Sequence, residues 1–372
     1  MDHTKDMNRT GECPALLSLP EIVNSTALIP KYEFDLGSCL FKSMLPSDST
    51  VKVLVCIFVL LTILSLAVNG CTLLGLGRSE DLSWEPRFAL LKNLILSDLM
   101  LTITQGPTVT YCLVQRRTLP YGPWCLTQFF VDSVCIFCTL FTITCMALER
   151  YLYVCQAIYY LSILTSQRLC FIMGLTWLLS LCITVVIMIL LQQSHASSLV
   201  GQPIAGLLCE PDTVESVLGF PRASAIFRKL VGIIVTFLCI LSYSFSYLRM
   251  YQEARNAVQP FQQVNRRAGN TILFYCSMLL LQLMPVLLKI ISDALWEVIS
   301  PLTAPSGWKT AGTLHIMLLV MLQVPPCINP LIYGLHNKEV RQALPNLLRW
   351  RKDCLNLNVE EGSLRTQETG RE

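Results

Sequence analysis

The sequence predicts an all-α membrane protein: a bundle of seven membrane-spanning helices followed by a short amphipathic eighth helix. Two observations lead there. Of 372 residues, 53% are hydrophobic and 14% charged, against about 25% charged in an ordinary soluble domain, so much of the surface does not face water. The apolar residues also gather into seven runs, and a run of roughly 20 such residues is what crosses the hydrocarbon core of a bilayer. The runs lack the alternation of ten-residue barrel strands, and a helix satisfies every backbone amide within its own segment.

In chain order, residues 1–50 are mixed and polar and read as an extracellular segment. They carry two glycosylation sequons, at Asn8 (Asn8-Arg9-Thr10) and Asn24 (Asn24-Ser25-Thr26), which belong on the outer side. No basic start followed by an apolar stretch marks a cleavable signal, so the first span doubles as the targeting signal. The expected spans are 51–76, 88–113, 125–154, 169–191, 225–247, 271–298 and 311–333, within a receptor-sized domain of residues 51–335. An outside N-terminus puts Arg78, Arg168, Arg249, Arg255, Arg266, Arg267, Lys338, Arg341, Arg349, Arg351 and Lys352 on the cytoplasmic side, a moderate positive-inside bias. Residues 336–372 form the cytoplasmic end. There 337–349 reads as an amphipathic helix whose Leu344, Leu347 and Leu348 lie in the lipid interface. Cys354 is a candidate for palmitoylation, and 355–372 is a polar tail. The expected location is the plasma membrane.

Several function classes are disfavoured. A net charge of +3 gives no reason to expect a nucleic-acid partner. The four histidines (His3, His195, His315, His336) are scattered without metal-ligand spacing, so neither a metal centre nor an enzyme is expected. No repeat relates the two halves, as in many transporters. Most of the seventeen cysteines sit inside apolar runs as soft core residues.

Polar groups inside a membrane are costly and mark function. Glu149-Arg150-Tyr151 closes span three at its inner end, where an acid beside an arginine suggests a switchable ion pair. Asn329-Pro330-Leu331-Ile332-Tyr333 kinks span seven and sets Tyr333 on its inner segment. Asp98 in span two is a buried carboxylate that needs partners or a cation; Asn69, Thr139 and Asn329 are the candidates. Cys125 opens span three, and Cys209 is the single cysteine between spans four and five. A disulfide between them would tie the second outer loop to span three, with Cys13, Cys39 and Cys112 as competing partners and Cys13–Cys39 as a further pair.

Together these residues resemble the rhodopsin-like (class A) G-protein-coupled receptors over roughly residues 50–350: Asn69, Asp98, Cys125, Glu149-Arg150-Tyr151, Trp177, and Asn329-Pro330 with Tyr333. Met146-Ala147-Leu148-Glu149-Arg150-Tyr151 with Cys155, Ser242-Tyr243, and the run Asn329 to Val340 resemble odorant receptors, and Arg267-Ala268-Gly269-Asn270-Thr271 resembles the fish type. Two positions depart from the pattern: Ala157 stands where proline is usual, and Leu283 replaces the tryptophan often kept before Pro285. The resemblance implies a receptor that binds a small odorant from outside and activates a heterotrimeric G protein. Arg150 would leave Glu149 as span six swings outward, with Tyr243 and Tyr333 turning inward. Asp98, Thr139 and Asn329 could hold an allosteric sodium ion; no other cofactor is expected.

The ligand pocket would lie between spans three, five, six and seven. Asp132, two turns into span three, matches the position where amine-binding relatives pair with an ammonium, although Gln323 replaces their tyrosine in span seven. Lys289 and Asp132 could hold a zwitterion by its two ends, or pair with each other. Gln105, Gln128, Tyr111 and His315 are further candidates, and Asp293 lies high in span six. A non-olfactory receptor for an amine or amino acid, bound through Asp132, is the alternative reading.

Overall fold

The computed structural model describes residues 36–78, 85–192, 203–204, 206–210, 222–256, 277, 280–281, 283–289, 291 and 305–336. They form helices α1 (Leu36–Met44), α2 (Asp48–Arg78), α3 (Pro86–Gln115), α4 (Pro123–Cys155), α5 (Ala157–Ile163), α6 (Ser166–Gln192), α7 (Arg222–Asn256) and α8 (Pro305–His336). Helices α2, α3, α4, α6, α7 and α8 are each long and apolar enough to cross a membrane. They supply spans one to five and seven. The described part of the expected sixth span includes a helical stretch over 283–289. The sequons Asn8 and Asn24, the amphipathic segment 337–349 and Cys354 lie outside the described residues.

Proline sets the starts. Pro86 and Pro123 occupy the first turns of spans two and three, where a missing N–H is one the helix would leave unpaired anyway. Span two ends at Arg116, in the left-handed region (φ 52°), whose backbone N–H returns to the Cys112 carbonyl. That conformation is uncommon outside glycine; here it coincides with an Arg116–Asp48 contact of 2.6 Å across the outer ends of spans two and one. Spans two, three and seven are the most enclosed, whereas spans one, four and five turn most of their apolar surface outward. Leu60, Ile63, Leu74, Phe171, Leu178, Ile226 and Phe237 are exposed there; in a bilayer that face meets hydrocarbon. Spans one and two approach closely at Gly106, where a Cβ would stand 2.5 Å from the Thr62 side chain.

Buried polar residues stitch the bundle. Trp177 Nε1 of span four donates to Asn93 Oδ1 of span two at 2.7 Å, and Asn93 Nδ2 donates to Thr142 Oγ1 of span three at 2.8 Å. In span seven, Pro330 has no N–H to offer the carbonyl four residues back, which is that of Pro326. Asn69 of span one donates its amide to that carbonyl at 2.8 Å. The kink is therefore satisfied by a neighbouring helix, as a membrane interior requires.

Helix α1 was not anticipated from the sequence. Leu40, Phe41 and Met44 are buried in the outer core, together with Phe58, Phe129 and Leu319 for Phe41. The Gly37 carbonyl accepts the Thr118 N–H at 3.3 Å. Gly312 in span seven permits the contact: a Cβ there would lie 3.0 Å from the Met44 Cα. Cys39 on α1 is disulfide-bonded; its expected partner, Cys13, lies outside the described residues.

Candidate functional site

The inner end is built where span three meets the second inner loop. Glu149 is buried, and its Oε1 accepts a hydrogen bond from the Tyr160 hydroxyl at 2.7 Å. Arg150 is near enough to act on the same carboxylate electrostatically. The sequence reading paired Glu149 with Arg150; the structure adds Tyr160, on α5. That short helix begins at Ala157, the position where the resemblance led one to expect proline. Burial, then the bond to Glu149, raises the Tyr160 phenol above its ordinary range, so it stays protonated as the donor. Tyr160 also meets the Tyr153 ring edge-on at 5.3 Å, and the Arg87 guanidinium lies 5.4 Å from that ring's centre. Tyr151 packs against Phe245 of span five at 5.6 Å. Tyr243 is buried and stacked on Tyr247 at 4.8 Å. Tyr333 falls within α8, with its side chain outside the described residues.

Midway through the bundle, Asp98 is buried and its Oδ2 accepts from Asn329 Nδ2 at 2.9 Å. Of the expected partners, Asn329 is therefore in contact. Thr139 instead shares a hydrogen bond with Ser97 at 2.9 Å, and Asn69 donates to Ser65 and Pro326. The donor set fits a cation in part. The Asp98 carboxylate and the Ser97 and Thr139 hydroxyls offer oxygens, but Asn329 presents its amide nitrogen, and hard cations take oxygen ligands.

The outer end is organised by the second outer loop. Cys125 and Cys209 form the disulfide, with Cα atoms 5.1 Å apart, and Cys112, a competing partner, is a free thiol. The loop is also laid against the first outer loop: Ile204 N–H donates to the Leu119 carbonyl at 2.9 Å and Leu119 N–H to Gly206 at 3.2 Å. These ties fix Glu210, the residue after Cys209, over the bundle. Glu210 Oε2 pairs with Lys289 Nζ at 2.8 Å, and Oε1 lies 3.6 Å from His315 Nδ1. Lys289 thus meets the Glu210 carboxylate, where the sequence reading offered Asp132 as its partner.

Asp132 is buried beneath this cluster. Thr104 donates to its Oδ1 at 2.6 Å, Gln105 makes a second side-chain contact, and Glu210 is close enough to act on it electrostatically. Gln128 accepts from the Cys209 N–H at 3.5 Å through Oε1. Its Nε2 is buried with no partner among the described residues, as is Oε1 of Gln323, about two turns below His315 in span seven. An unpaired buried polar atom costs roughly 1–3 kcal/mol. Tyr111 does not join the cluster: it faces outward, lining an external groove with Val59 and Ile63 of span one. Asp293 lies outside the described residues. Glu210 and Tyr160 were missed by sequence reasoning. For Glu210 the available signal was its place next to the loop cysteine; for Tyr160 there was none beyond a tyrosine in a short loop.

The model of the 7 transmembrane receptor (rhodopsin family) matches residues 68–333. Among curated proteins, human olfactory receptor 6C3 is 24% identical over 315 residues, covering 82% of this chain and 93% of its own length. Human olfactory receptor 2G3 is 25% identical, covering 78% and 90%. The olfactory receptor-like protein OLF4 of Canis lupus familiaris is 25% identical, covering 74% and 85%.

Proposed function

This chain belongs to the rhodopsin family of seven-transmembrane receptors and is odorant-receptor-like, and on that premise we propose that it binds a small odorant from the outer side and activates a heterotrimeric G protein. It is a multi-pass membrane receptor, not an enzyme. The observation that carries the proposal is the buried outer cluster around Asp132. Thr104 and Gln105 contact Asp132 directly, the disulfide-anchored loop above meets His315 through Leu207 and Gln128 through Cys209, and Gln128 Nε2 is left without a partner among the described residues. Buried polar atoms are normally satisfied, and a small molecule lodged there would satisfy them. The opposite end holds Glu149, Arg150 and Tyr160, a polar knot suited to a two-state equilibrium that a ligand biases by its differential affinity.

Asp132 is the contact for an ammonium-bearing ligand, and an amine or amino-acid receptor outside olfaction is the second reading, favoured by the depth of that carboxylate. The N-terminus outside, glycosylation at Asn8 and Asn24, and residence in the plasma membrane complete the proposal. A sodium ion held by Asp98, Thr139 and Asn329 belongs to it too; it requires the Asn329 amide to turn its oxygen toward the site.

The test is a screen of the receptor, co-expressed with a promiscuous G protein, against amines, amino acids and neutral odorants, with Asp132→Ala alongside. Responses to amine-bearing ligands should be lost in the variant while neutral odorants keep theirs. An unchanged amine dose-response removes the Asp132 role. Silence of a surface-expressed wild-type receptor to every class counts against the ligand reading as a whole.

A further inference from the structure

Resting on the reading of the outer cluster as a ligand pocket, we propose that Lys289 and His315 form a carboxylate-binding site that Glu210 occupies as a built-in stand-in, so that the receptor's ligands include small molecules carrying a carboxylate. The geometry points there because two donors from two different spans converge on the two oxygens of one carboxylate: Lys289 Nζ on Oε2 at 2.8 Å and His315 Nδ1 beside Oε1 at 3.6 Å.

The backbone fixes which histidine nitrogen carries hydrogen. Leu207 N–H donates to His315 Nε2 at 3.2 Å, so Nε2 is the acceptor. A neutral imidazole then bears its hydrogen on Nδ1, the atom that faces Glu210. The loop therefore does two things at once. Leu207 orients the imidazole so that Nδ1 faces Glu210, and Glu210, three residues on, holds its Oε1 3.6 Å from that nitrogen, beyond hydrogen-bond length, so that Oε1 is buried without a hydrogen bond among the described residues.

The occupant is replaceable. Glu210 sits on a loop whose backbone is held by the neighbouring Cys209–Cys125 disulfide and by the Leu119 hydrogen bonds. Its side chain alone needs to swing away for the two donors to become accessible, and that side chain is 11% exposed. A ligand carboxylate entering in its place restores the same two interactions. The charge of the cluster is conserved in the exchange, since one carboxylate leaves as another arrives. Glu210 leaves for the aqueous outer face, where a carboxylate is hydrated, so the exchange strands no buried charge. With Glu210 gone, the negative charge acting on Asp132 is removed and replaced by that of the ligand, and Asp132 remains below to meet an ammonium if the ligand has one. Carboxylates without an amine use the upper donors alone.

Occupation by Glu210 also taxes affinity. If the clasp is closed 90–99% of the time, a competing carboxylate binds about ten- to a hundredfold more weakly than to the open site.

The experiment uses full-length receptor in cells, with surface amount measured through an N-terminal tag. Propionate, hexanoate and glutamate serve as probes, with the methyl esters of the two fatty acids as uncharged counterparts. Glu210→Gln should lower the half-maximal concentration for at least one carboxylate about ten- to a hundredfold and leave the esters where they were. Glu210→Asp, which keeps the charge on a shorter arm, should fall between wild type and Glu210→Gln and covers the case in which the amide variant fails to reach the surface. Lys289→Gln should abolish the gain when combined with Glu210→Gln. If the surface-expressed variants respond to esters or other neutral odorants and gain nothing for any carboxylate, the stand-in is overturned while the receptor reading survives. Equal shifts for acid and ester overturn it too, because they show a loop effect without charge recognition. No response of any variant to any ligand overturns both readings.

Discussion

Replacing Tyr160 by phenylalanine isolates the inner-end contact better than any change to Glu149 or Arg150. The substitution removes one oxygen. It leaves the ring that packs edge-on against Tyr153 and the short helix closed by the Leu164 N–H to Tyr160 carbonyl bond of 2.9 Å. What is lost is a 2.7 Å hydrogen bond from a buried hydroxyl to a buried carboxylate. Hydrogen bonds to charged groups contribute about 1.5–3 kcal/mol. If the bond exists in the resting state and is broken in the signalling one, the equilibrium shifts toward signalling roughly ten- to a hundredfold, at tenfold for each 1.4 kcal/mol or so. A resting receptor with about 0.1% of its molecules in the active state would rise to roughly 1–10%. The assay is ligand-free signalling through a co-expressed G protein, divided by surface amount. Tyr153→Phe is the control, since it keeps its ring contacts and its hydroxyl makes no contact with Glu149; it should stay at the wild-type level. Equal basal output from Tyr160→Phe and wild type, at matched surface amounts, would refute the idea that Tyr160 restrains Glu149.

Two further outcomes follow from packing. Trp177→Phe forfeits the 2.7 Å bond to Asn93, and buried hydrogen bonds between membrane helices are worth about 0.6 and at most about 1.7 kcal/mol. Its thermal unfolding in detergent should shift down by a few degrees, and Asn93→Ala, which also severs Thr142, should shift it more; the reverse order would show that packing of the indole dominates. Gly312→Leu places side-chain atoms within 3.0 Å of the Met44 backbone, so α1 should detach from span seven. A cysteine introduced in place of Leu40, buried in the native protein, should then react with a membrane-impermeant thiol reagent about as fast as one on an open loop, and continued protection would show that span seven gives way instead.

The bundle was legible because lipid leaves the sequence few options. A span must be long, apolar and helical, and the expected run 125–154 lies wholly inside Pro123–Cys155. Polar exceptions within such runs stand out, which is how Asp98, Asn329, Asp132 and Glu149 were found. Helix α1 was not legible. Its residues Leu36–Met44 are few, and its apolar face is received by residues far along the chain, Phe129 and Leu319 against Phe41 and Gly312 against Met44. Local pattern cannot report a partner that distant, and helices this short are marginal without tertiary packing.

The same physics explains why the polar residues were identified, and Asn329 rightly set against Asp98, while Glu210 and Tyr160 were overlooked as partners of Lys289 and Glu149. A buried charge announces itself in sequence by its cost, but the group that compensates it lies wherever the fold brings a donor. Lys289 looked for an acid inside the bundle and found one on a loop; Glu149 looked to its neighbour and also found Tyr160 eleven residues on. Both overlooked partners sit on connections rather than on spans, in segments where polar residues cost nothing in water and so carry no signal. That placement has a mechanical consequence. A carboxylate held by a partner within the bundle is locked by helix packing, whereas one held from a loop is released by moving a side chain or a single turn. The two ends of this molecule share that construction, with Glu210 clasping spans six and seven from above and Tyr160 clasping span three from below. An equilibrium governed by such contacts can be tipped by about 1.5–3 kcal/mol at either end, which is within reach of one small ligand and leaves the stitched middle of the bundle, through Asn93, Trp177 and Asn69, intact.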